Sequence, residues 1–151
     1  MLRQMEEAKQ RSVRDVIEAD AVNEIGVLDF DSALWLALCG RINSVDDLRG
    51  LPDAVRMYYA THLLEYDIGN GGLEHAVECT GPYLDEAIAG YRLLGDHASA
   101  QFFERAQASA DDLDALEVLA SELDGAPWHG VPFGDEPRLR YVRDHRDEFL
   151  I

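Results

Sequence analysis

The stretch that decides the fold runs from Leu51 to Leu73 and reads LPDAVRMYYATHLLEYDIGNGGL. Its apolar and aromatic residues recur at intervals of three and four, which is the period of an amphipathic α-helix. The residues of this stripe are Val55, Tyr58, Tyr59, His62, Leu63 and Tyr66. Asp53 directly precedes the stripe, where helices commonly begin. Gly69-Asn70-Gly71-Gly72 follows it, and Gly or Asn readily takes the left-handed conformation that closes a helix. The stretch predicts a long helix that ends in a tight turn at the glycines.

The same spacing recurs on both sides of this stretch, and no segment shows the alternation of a β-strand. Helices are expected at about residues 13–26, from Asp29 or Asp31 to 42, 53–68, 73–79, 82–94, 98–108, 109–123 and 137–149. No internal repeat and no linker long enough to separate domains is visible. The sequence therefore predicts a single all-α domain over residues 1–151, a compact bundle of about seven to eight helices with short turns.

The helix expected after residue 109 has its own start signal, because Ser109 with Asp112 three residues later resembles a capping box. The apolar residues expected to be buried on this helix are Leu113, Leu116, Leu119, Ala120 and Leu123. A loop rich in Gly and Pro follows at residues 124–137. There, Trp128 and Phe133 are expected to plug one end of the core, and contact with a partner is the alternative.

Composition places the chain among acidic globular proteins. Its 151 residues include 30 Asp and Glu against 13 Lys and Arg, a formal net charge of −17, with 47% apolar residues. This length and apolar content suffice for a core. No apolar run reaches the ~18–20 residues of a membrane span, and the charge disfavours direct contact with nucleic acid or an anionic membrane. Cys39 and Cys79 form no disulfide framework and are expected to be small buried residues, which favours a cytoplasmic location.

The negative charge is concentrated in the middle of the chain. Residues 1–14 carry a net +2 and residues 137–151 a net +1, which leaves −20 for residues 15–136. Two stretches there, Met57–Tyr91 and Ala106–Glu136, contain no Lys or Arg. A long segment of one sign steers cationic partners toward it. The alternative is a solvated surface that serves solubility or salt adaptation.

The glycine cluster Gly69-Asn70-Gly71-Gly72 is also a candidate for binding a phosphate or a metal ion. It lacks the lysine of a phosphate-binding loop, and a calcium loop starting at Asp67 would have glycines at two positions that need side-chain oxygens. Two His-x-x-Glu pairs, His62/Glu65 and His75/Glu78, flank the cluster, and a small enzyme or metal-binding domain built on them is the rival functional hypothesis. No nucleophile or acid–base arrangement stands out. The sequence predicts a protein that is not an enzyme and has no metal and no cofactor.

The segment around the glycines also resembles a known family. Asp67, Asn70, Gly71 and Gly72, at the end of a tyrosine-rich helix, resemble the acidic-x-x-Asn-Gly-Gly motif of the DNA mimic protein 19 family, a family of unknown function. The resemblance extends over roughly residues 55–150, through Gly81, Glu86-Ala87, Leu94-Gly95, Ala98, Phe103, Tyr141-Val142-Arg143 and Glu148-Phe149. It implies an all-α fold. It also implies a protein that imitates DNA and occupies the DNA-binding surface of a helix-turn-helix regulator.

The charge limits how closely one chain can imitate DNA. Duplex DNA carries one charge per ~1.7 Å, or about eighteen along a ~30 Å face, whereas the whole chain has a net charge of −17. A homodimer that aligned two acidic faces would come closer, so such a dimer is an expected assembly. The carboxylates expected to form a partner-binding acidic face are Asp85, Glu86, Asp111, Asp114, Glu117 and Glu122. The expected partner is a basic protein, in particular a DNA-binding regulator, and an acidic helper domain without mimicry is a third hypothesis.

Overall fold

The computed structural model describes residues 11–125 and 137–151, and their regular structure is helical throughout. Eight α-helices occur in these two segments: α1 (Val13–Ala21), α2 (Val27–Arg41), α3 (Val45–Arg49), α4 (Asp53–Cys79), α5 (Leu84–Leu93), α6 (His97–Ala108), α7 (Leu113–Gly125) and α8 (Pro137–Asp144). Two 3₁₀ helices, Gly81–Tyr83 and Arg146–Phe149, complete the set. The described residues contain no strand, so the predicted all-α class is confirmed. None of the described helices has both the length and the apolar content that a membrane span requires.

The contacts of the chain divide it into two compact units. The first unit comprises residues 1–55 and 132–151, and the second comprises residues 56–131. Helix α4 begins in the first unit and continues through the second. The expectation of one domain over residues 1–151 stays a prediction.

In the first unit, α1 packs against α2 and also contacts the 3₁₀ helix Arg146–Phe149. A capping box starts α1, in which the Ser12 hydroxyl accepts from the Asp15 N–H and the Asp15 carboxylate accepts from the Ser12 N–H. The core residues of this unit are Val13, Val16, Ile17, Phe30, Leu34, Leu38, Ile42, Leu48, Leu139, Val142 and Phe149. Apolar spacing of three and four predicts an inward stripe on the first two helices and the last one. Most of these residues are buried, but Ala21 is exposed and Trp35 and Tyr141 are partly exposed.

The first unit also holds a buried carboxylate. Asp20 is 4% exposed and accepts two hydrogen bonds from Arg143, at 3.1 and 2.9 Å, and one from Arg146 at 2.9 Å. The Arg143 guanidinium also lies 4.9 Å from the centre of the Phe30 ring. Burial raises the pKa of Asp20, but the hydrogen bonds and positive charges of the two arginines outweigh it and lower that pKa below its ordinary value.

In the second unit, α5 and α6 form an antiparallel hairpin. Tyr91 stacks on Phe103 with ring centres 5.4 Å apart, and Arg92 pairs with Glu104 one residue further along each helix. Gly90 allows α5 to approach α4, because a Cβ there would lie 3.0 Å from the Thr61 methyl group and 3.1 Å from the Met57 Cα. The largest fully buried side chains of this unit are Met57, Tyr58, Leu64, Leu73, Tyr91 and Phe103.

Several predicted helix boundaries differ from the structure. Helix α1 ends at Ala21 rather than near Gly26, and α2 begins at Val27, before the Asp29 or Asp31 proposed as its cap. Helix α3, five residues long, was not predicted, because so short a segment shows no periodicity. Pro82, which was expected to begin α5, lies instead in the 3₁₀ turn Gly81–Tyr83.

Candidate acidic interaction surface

The second unit carries most of the negative charge. Residues 56–131 contain 14 carboxylates and three arginines, a net charge of −11 with histidine neutral. Each arginine is ion-paired within the unit: Arg56 with Glu86 at 3.8 Å, Arg92 with Glu104, and Arg105 with Glu122 at 2.8 Å. Every arginine of the unit is therefore engaged with a carboxylate. The excess of eleven negative charges is not compensated by basic residues of the same unit.

Three of the six carboxylates predicted to bind a partner are engaged with neighbouring side chains. Glu86 is half-buried and paired with Arg56. Glu122 accepts two hydrogen bonds from Arg105, at 2.9 and 2.8 Å, and these lower the pKa of Glu122. Asp85 accepts a hydrogen bond from the Gln107 side chain at 2.6 Å, which places it at the end of α6. Glu86 and Glu122 are thus partly neutralised where they lie.

The other three predicted carboxylates, Asp111, Asp114 and Glu117, are exposed. No ion pair involves them in the segments 11–125 and 137–151. Asp111 lies in the turn before α7, and Asp114 and Glu117 lie on the exposed side of that helix. These three keep their full charge available to a partner.

Helix α7 is positioned by Leu116 and Leu119, which are buried as predicted. Leu113, predicted to be buried, is 59% exposed. Leu113 is the first residue of the helix: the Asp112 carboxylate accepts from the Ala115 N–H at 3.1 Å, so the helix begins three residues later than a cap at Ser109 would allow. Ser109 ends α6 instead of capping α7, and the capping box predicted for Ser109 and Asp112 is wrong. Acidic residues at the start of α7 also interact favourably with the positive end of the helix dipole.

The glycine motif has a structural role in the described geometry. Gly69, Asn70 and Gly71 remain helical, and the chain breaks only at Gly72, with φ 82° and ψ −175°. The helix therefore ends later than expected. Residues 73–79 form a second helical segment, as predicted. Asp67 accepts a hydrogen bond from the buried Thr80 hydroxyl at 2.5 Å and so connects the two sides of the break.

The rival metal site finds little support around this break. The Tyr91 hydroxyl donates to Glu65 at 3.0 Å, and His75 Nδ1 lies 3.6 Å from Cys79 Sγ. His62 packs against the Tyr58 ring at 5.5 Å. In the part of the chain that the structure describes, no three His, Cys, Asp or Glu side chains are grouped so that they could hold a metal ion.

Both cysteines are exposed, so their predicted burial is wrong. Cys39 lies on the outer side of α2, and Cys79 is the last residue of α4. Partial burial nevertheless raises the pKa of the Cys39 thiol. Neither helical period nor residue type distinguished these positions, because cysteine is apolar enough to suit either side of a helix. Trp128 and Phe133 of the predicted loop lie outside the described residues.

Sequence reasoning missed the residues that modify the acidic surface. Arg105 and Gln107 lie on α6, yet they contact carboxylates of α7 and α5 that are 17 and 22 residues away in the chain. Only the spacing of Asp112 from Ala115 offered a local signal, that of an N-cap.

Comparison with known proteins agrees with the resemblance seen in the sequence. The family model described as DMP19-like protein matches residues 49–145, more than half of the chain and most of the predicted region 55–150. Neither the curated proteins nor the solved structures include a significant match. The match includes Arg49 at the end of α3, helices α4 to α7 and all of α8. The chain belongs to the DMP19-like protein family.

Proposed function

We propose that this protein is a non-catalytic interaction protein whose acidic second unit engages a basic, DNA-binding partner in the manner of a DNA mimic. The observation that carries the proposal is the pairing of all three arginines of residues 56–131 with carboxylates of the same unit, against a net charge of −11. Such a surface attracts cations from a distance and repels nucleic acid. Membership of the DMP19-like family adds the resemblance to a DNA mimic.

The spacing of charge on α7 supports partial mimicry. The helix has 13 residues and is ~20 Å long, a length over which duplex DNA carries about twelve charges. Residues 111–124 contain six carboxylates, one of which is paired with Arg105. The density is about half that of DNA, which suits a partner whose basic surface also contacts other parts of the protein.

The alternatives are weaker on the same observations. A metal-binding domain would need grouped ligands, and the described residues near the glycine motif supply no such group. An acidic helper domain without mimicry would need the charge only for solubility. Mimicry and the helper-domain hypothesis differ in whether binding of a partner depends on the position of the negative charges or only on their number.

The experiment uses the whole chain immobilised on a resin. Extract of the source organism is applied at about 50 mM NaCl, and bound proteins are released either with about 500 mM NaCl or with a short DNA duplex, then identified by mass spectrometry. Because exposed ion pairs are screened by salt, a mimic should capture DNA-binding proteins that both salt and DNA release. Capture of proteins that DNA does not displace contradicts mimicry.

Two triple variants separate position from amount of charge. The test variant is Asp111→Asn/Asp114→Asn/Glu117→Gln. The control, Glu24→Gln/Asp144→Asn/Asp147→Asn, removes three exposed carboxylates of the first unit. Exposed ion pairs contribute ~0.2–1 kcal/mol each, so the test variant should bind the captured partner about ten-fold more weakly and the control less than two-fold. Equal losses of affinity in the two variants would contradict mimicry and support the helper-domain hypothesis.

A further inference from the structure

His75 and Cys79 bring two metal-binding atoms together at the protein surface. Both residues lie on the helical segment that follows the break at Gly72, four residues apart and therefore on one side of the helix. The Nδ1 atom of His75 lies 3.6 Å from the Sγ atom of Cys79. Cys79 is exposed and His75 is partly exposed, so an ion in solution can reach both atoms. Sequence reasoning paired His75 with Glu78, whereas the structure brings it to Cys79.

The distance between these two atoms is the one that a tetrahedral zinc ion requires. Zinc binds a cysteine sulfur at ~2.3 Å and a histidine nitrogen at ~2.0–2.1 Å, so tetrahedral angles hold the two atoms about 3.5–3.6 Å apart. The observed 3.6 Å agrees with this value. Thiolate and imidazole ligands also select zinc over magnesium and calcium, which prefer oxygen.

Gly71 gives the imidazole ring its place. It precedes His75 by four residues, and a Cβ at residue 71 would lie between 2.5 and 2.7 Å from the Cβ, Cγ and Cδ2 atoms of His75. Any larger residue at 71 would therefore displace the ring, while glycine leaves it with Nδ1 next to Cys79. The second glycine of the motif thus acts as a positioning residue for the pair.

The charge around the pair favours a cation. No Lys or Arg occurs from Met57 to Tyr91, and Glu74 and Glu78 on the same helical segment are exposed carboxylates. Negative charge at a surface raises the local concentration of cations and the rate at which they associate. A divalent cation is therefore attracted to the segment that carries the two ligands.

One chain supplies only half of the ligands that a structural zinc ion needs. Such sites have four protein ligands, and within residues 11–125 and 137–151 no third His, Cys, Asp or Glu joins His75 and Cys79 in a group that could hold a metal. A second copy of the chain, related by a twofold axis through the ion, adds the same two residues. The resulting two cysteines and two histidines are one of the ligand sets of structural zinc sites.

We propose that His75 and Cys79 form half of a zinc site that a second copy of the chain completes with the same two residues. Zinc replaces the proton of each thiol, the two protons pass to the solvent, and the two thiolates balance the charge of the ion. Without the ion, two chains with a net charge of −17 each repel each other. The homodimer should therefore form only when zinc is bound. This inference is independent of the proposed interaction with a DNA-binding partner.

Metal titrations of the whole chain test the site. Reduced protein, freed of metal with EDTA, is titrated with zinc chloride and followed by sedimentation velocity, and the zinc retained after gel filtration is measured by elemental analysis. We expect one zinc ion per two chains and a dimer that EDTA dissociates. Titration with cobalt chloride reports the ligands, because cobalt bound to a thiolate gives a sulfur-to-metal absorption band and tetrahedral cobalt absorbs strongly in the visible range.

Substitutions assign the metal to the pair. Cys79→Ser should remove the dimer and the sulfur-to-cobalt band, and His75→Gln should remove the dimer. The matched control, Cys39→Ser/His97→Gln, replaces an exposed cysteine on α2 and an exposed histidine on α6 and should retain both. Urea unfolding of each variant without metal verifies that the fold is kept.

Three results would overturn the proposal: no zinc retained by the reduced chain, a dimer that forms equally well without zinc, or one zinc ion per monomeric chain. Zinc binding that the control variant loses and Cys79→Ser retains would overturn it as well. Each of these results leaves the capture of DNA-binding proteins unchanged, so the proposed function is tested separately.

Discussion

At the scale of the residue, the two consecutive glycines of the family-like motif are required for different reasons. Gly72 has φ 82° and ψ −175°, a region that only glycine occupies without strain. Gly71 is helical, but a Cβ there would lie 2.5 to 2.7 Å from the Cγ and Cβ of His75. Backbone conformation therefore selects glycine at 72, and the close approach of His75 selects it at 71.

Alanine substitutions should separate these two causes. Gly72→Ala should lower the free energy of unfolding by about 2 kcal/mol, because the side chain makes the conformation strained. Gly69 is helical with open space around its Cα, so Gly69→Ala is the control and should raise stability by ~0.5–1 kcal/mol. Urea unfolding followed by circular dichroism measures both.

A double variant tests the steric explanation at Gly71. Gly71→Ala alone should destabilise the protein by ~1–3 kcal/mol, the usual range for overpacking. Addition of His75→Ala removes Cγ and Cδ2 of His75, two of the three atoms that a Cβ would meet, and should recover part of that loss. If the double variant is less stable than Gly71→Ala, the contact with His75 is not the cause.

At the scale of the element, a single carboxylate connects the first described helix to the end of the chain. Asp20 on α1 binds Arg143 on α8 and Arg146 in the last 3₁₀ helix, 123 and 126 residues later. Removal of one partner of a buried ion pair leaves the other charge without compensation, which typically costs 3–5 kcal/mol. The packing of α1 in the first unit therefore depends on this contact.

The stability that Asp20 contributes should depend on pH. Its pKa is lowered in the folded protein from an ordinary value of 3.8. A depressed folded-state pKa means that the contribution is fully present above about pH 4 and is lost as pH falls through the folded-state pKa. Asp20→Asn should be less stable than the wild type by about 3 kcal/mol at pH 7, and the difference should shrink below pH 4.

Urea unfolding at several pH values between about 2.5 and 7 tests this expectation. Glu24→Asn is a suitable control, because Glu24 is exposed and close to Asp20 in the chain. A difference between wild type and Asp20→Asn that stays constant down to pH 2.5 would show that lost packing, not lost charge, causes the effect.

At the scale of the whole molecule, the net charge of −17 opposes folding, because compaction brings like charges together. The three ion pairs of the second unit reduce this repulsion only locally, and two of them, Arg92–Glu104 and Arg105–Glu122, are exposed. Dissolved ions, which screen this repulsion, should therefore stabilise the folded protein.

Salt should raise the stability of the whole chain. Between about 0.05 and 0.5 M NaCl, where the Debye length falls from ~14 to ~4 Å, we expect the free energy of unfolding to increase by about 1 kcal/mol. The variant Asp111→Asn/Asp114→Asn/Glu117→Gln has less repulsion to screen and should respond less. Urea midpoints at each salt concentration measure both proteins. A stability that falls with salt would indicate that ion pairs outweigh repulsion.

Comparison of particular residues shows where prediction from sequence succeeded. The spacing of Val13, Val16 and Ile17 predicts that they lie on one side of a helix, and all three are buried, because the period of a helix is a local property. Leu113 has the same spacing relative to Leu116, yet it is exposed. Its helix begins at Leu113 itself, after the cap at Asp112, so Leu113 lies at the end of the helix and not in its interior. Helix interiors were therefore predictable and helix ends were not.

For the candidate acidic surface, too, one part was predictable from the sequence and another part was not. Its carboxylates can be read from the sequence, but the engagement of Asp85, Glu86 and Glu122 by Gln107, Arg56 and Arg105 depends on residues at least 17 positions away. No periodic pattern contains such information, because side chains from different helices meet only after the helices pack.

The amino-acid sequence by itself determined the all-α class, the family-like glycine motif and the concentration of negative charge in the middle of the chain, since these depend on local period, residue type and composition. Only the tertiary structure decided which carboxylates keep their charge and which aliphatic groups stay exposed. The physical reason is that an ion pair or a buried contact needs two groups within a few ångströms of each other. Packing alone brings Arg105 to Glu122 and Arg143 to Asp20, while it leaves Asp114 and Val118 facing water.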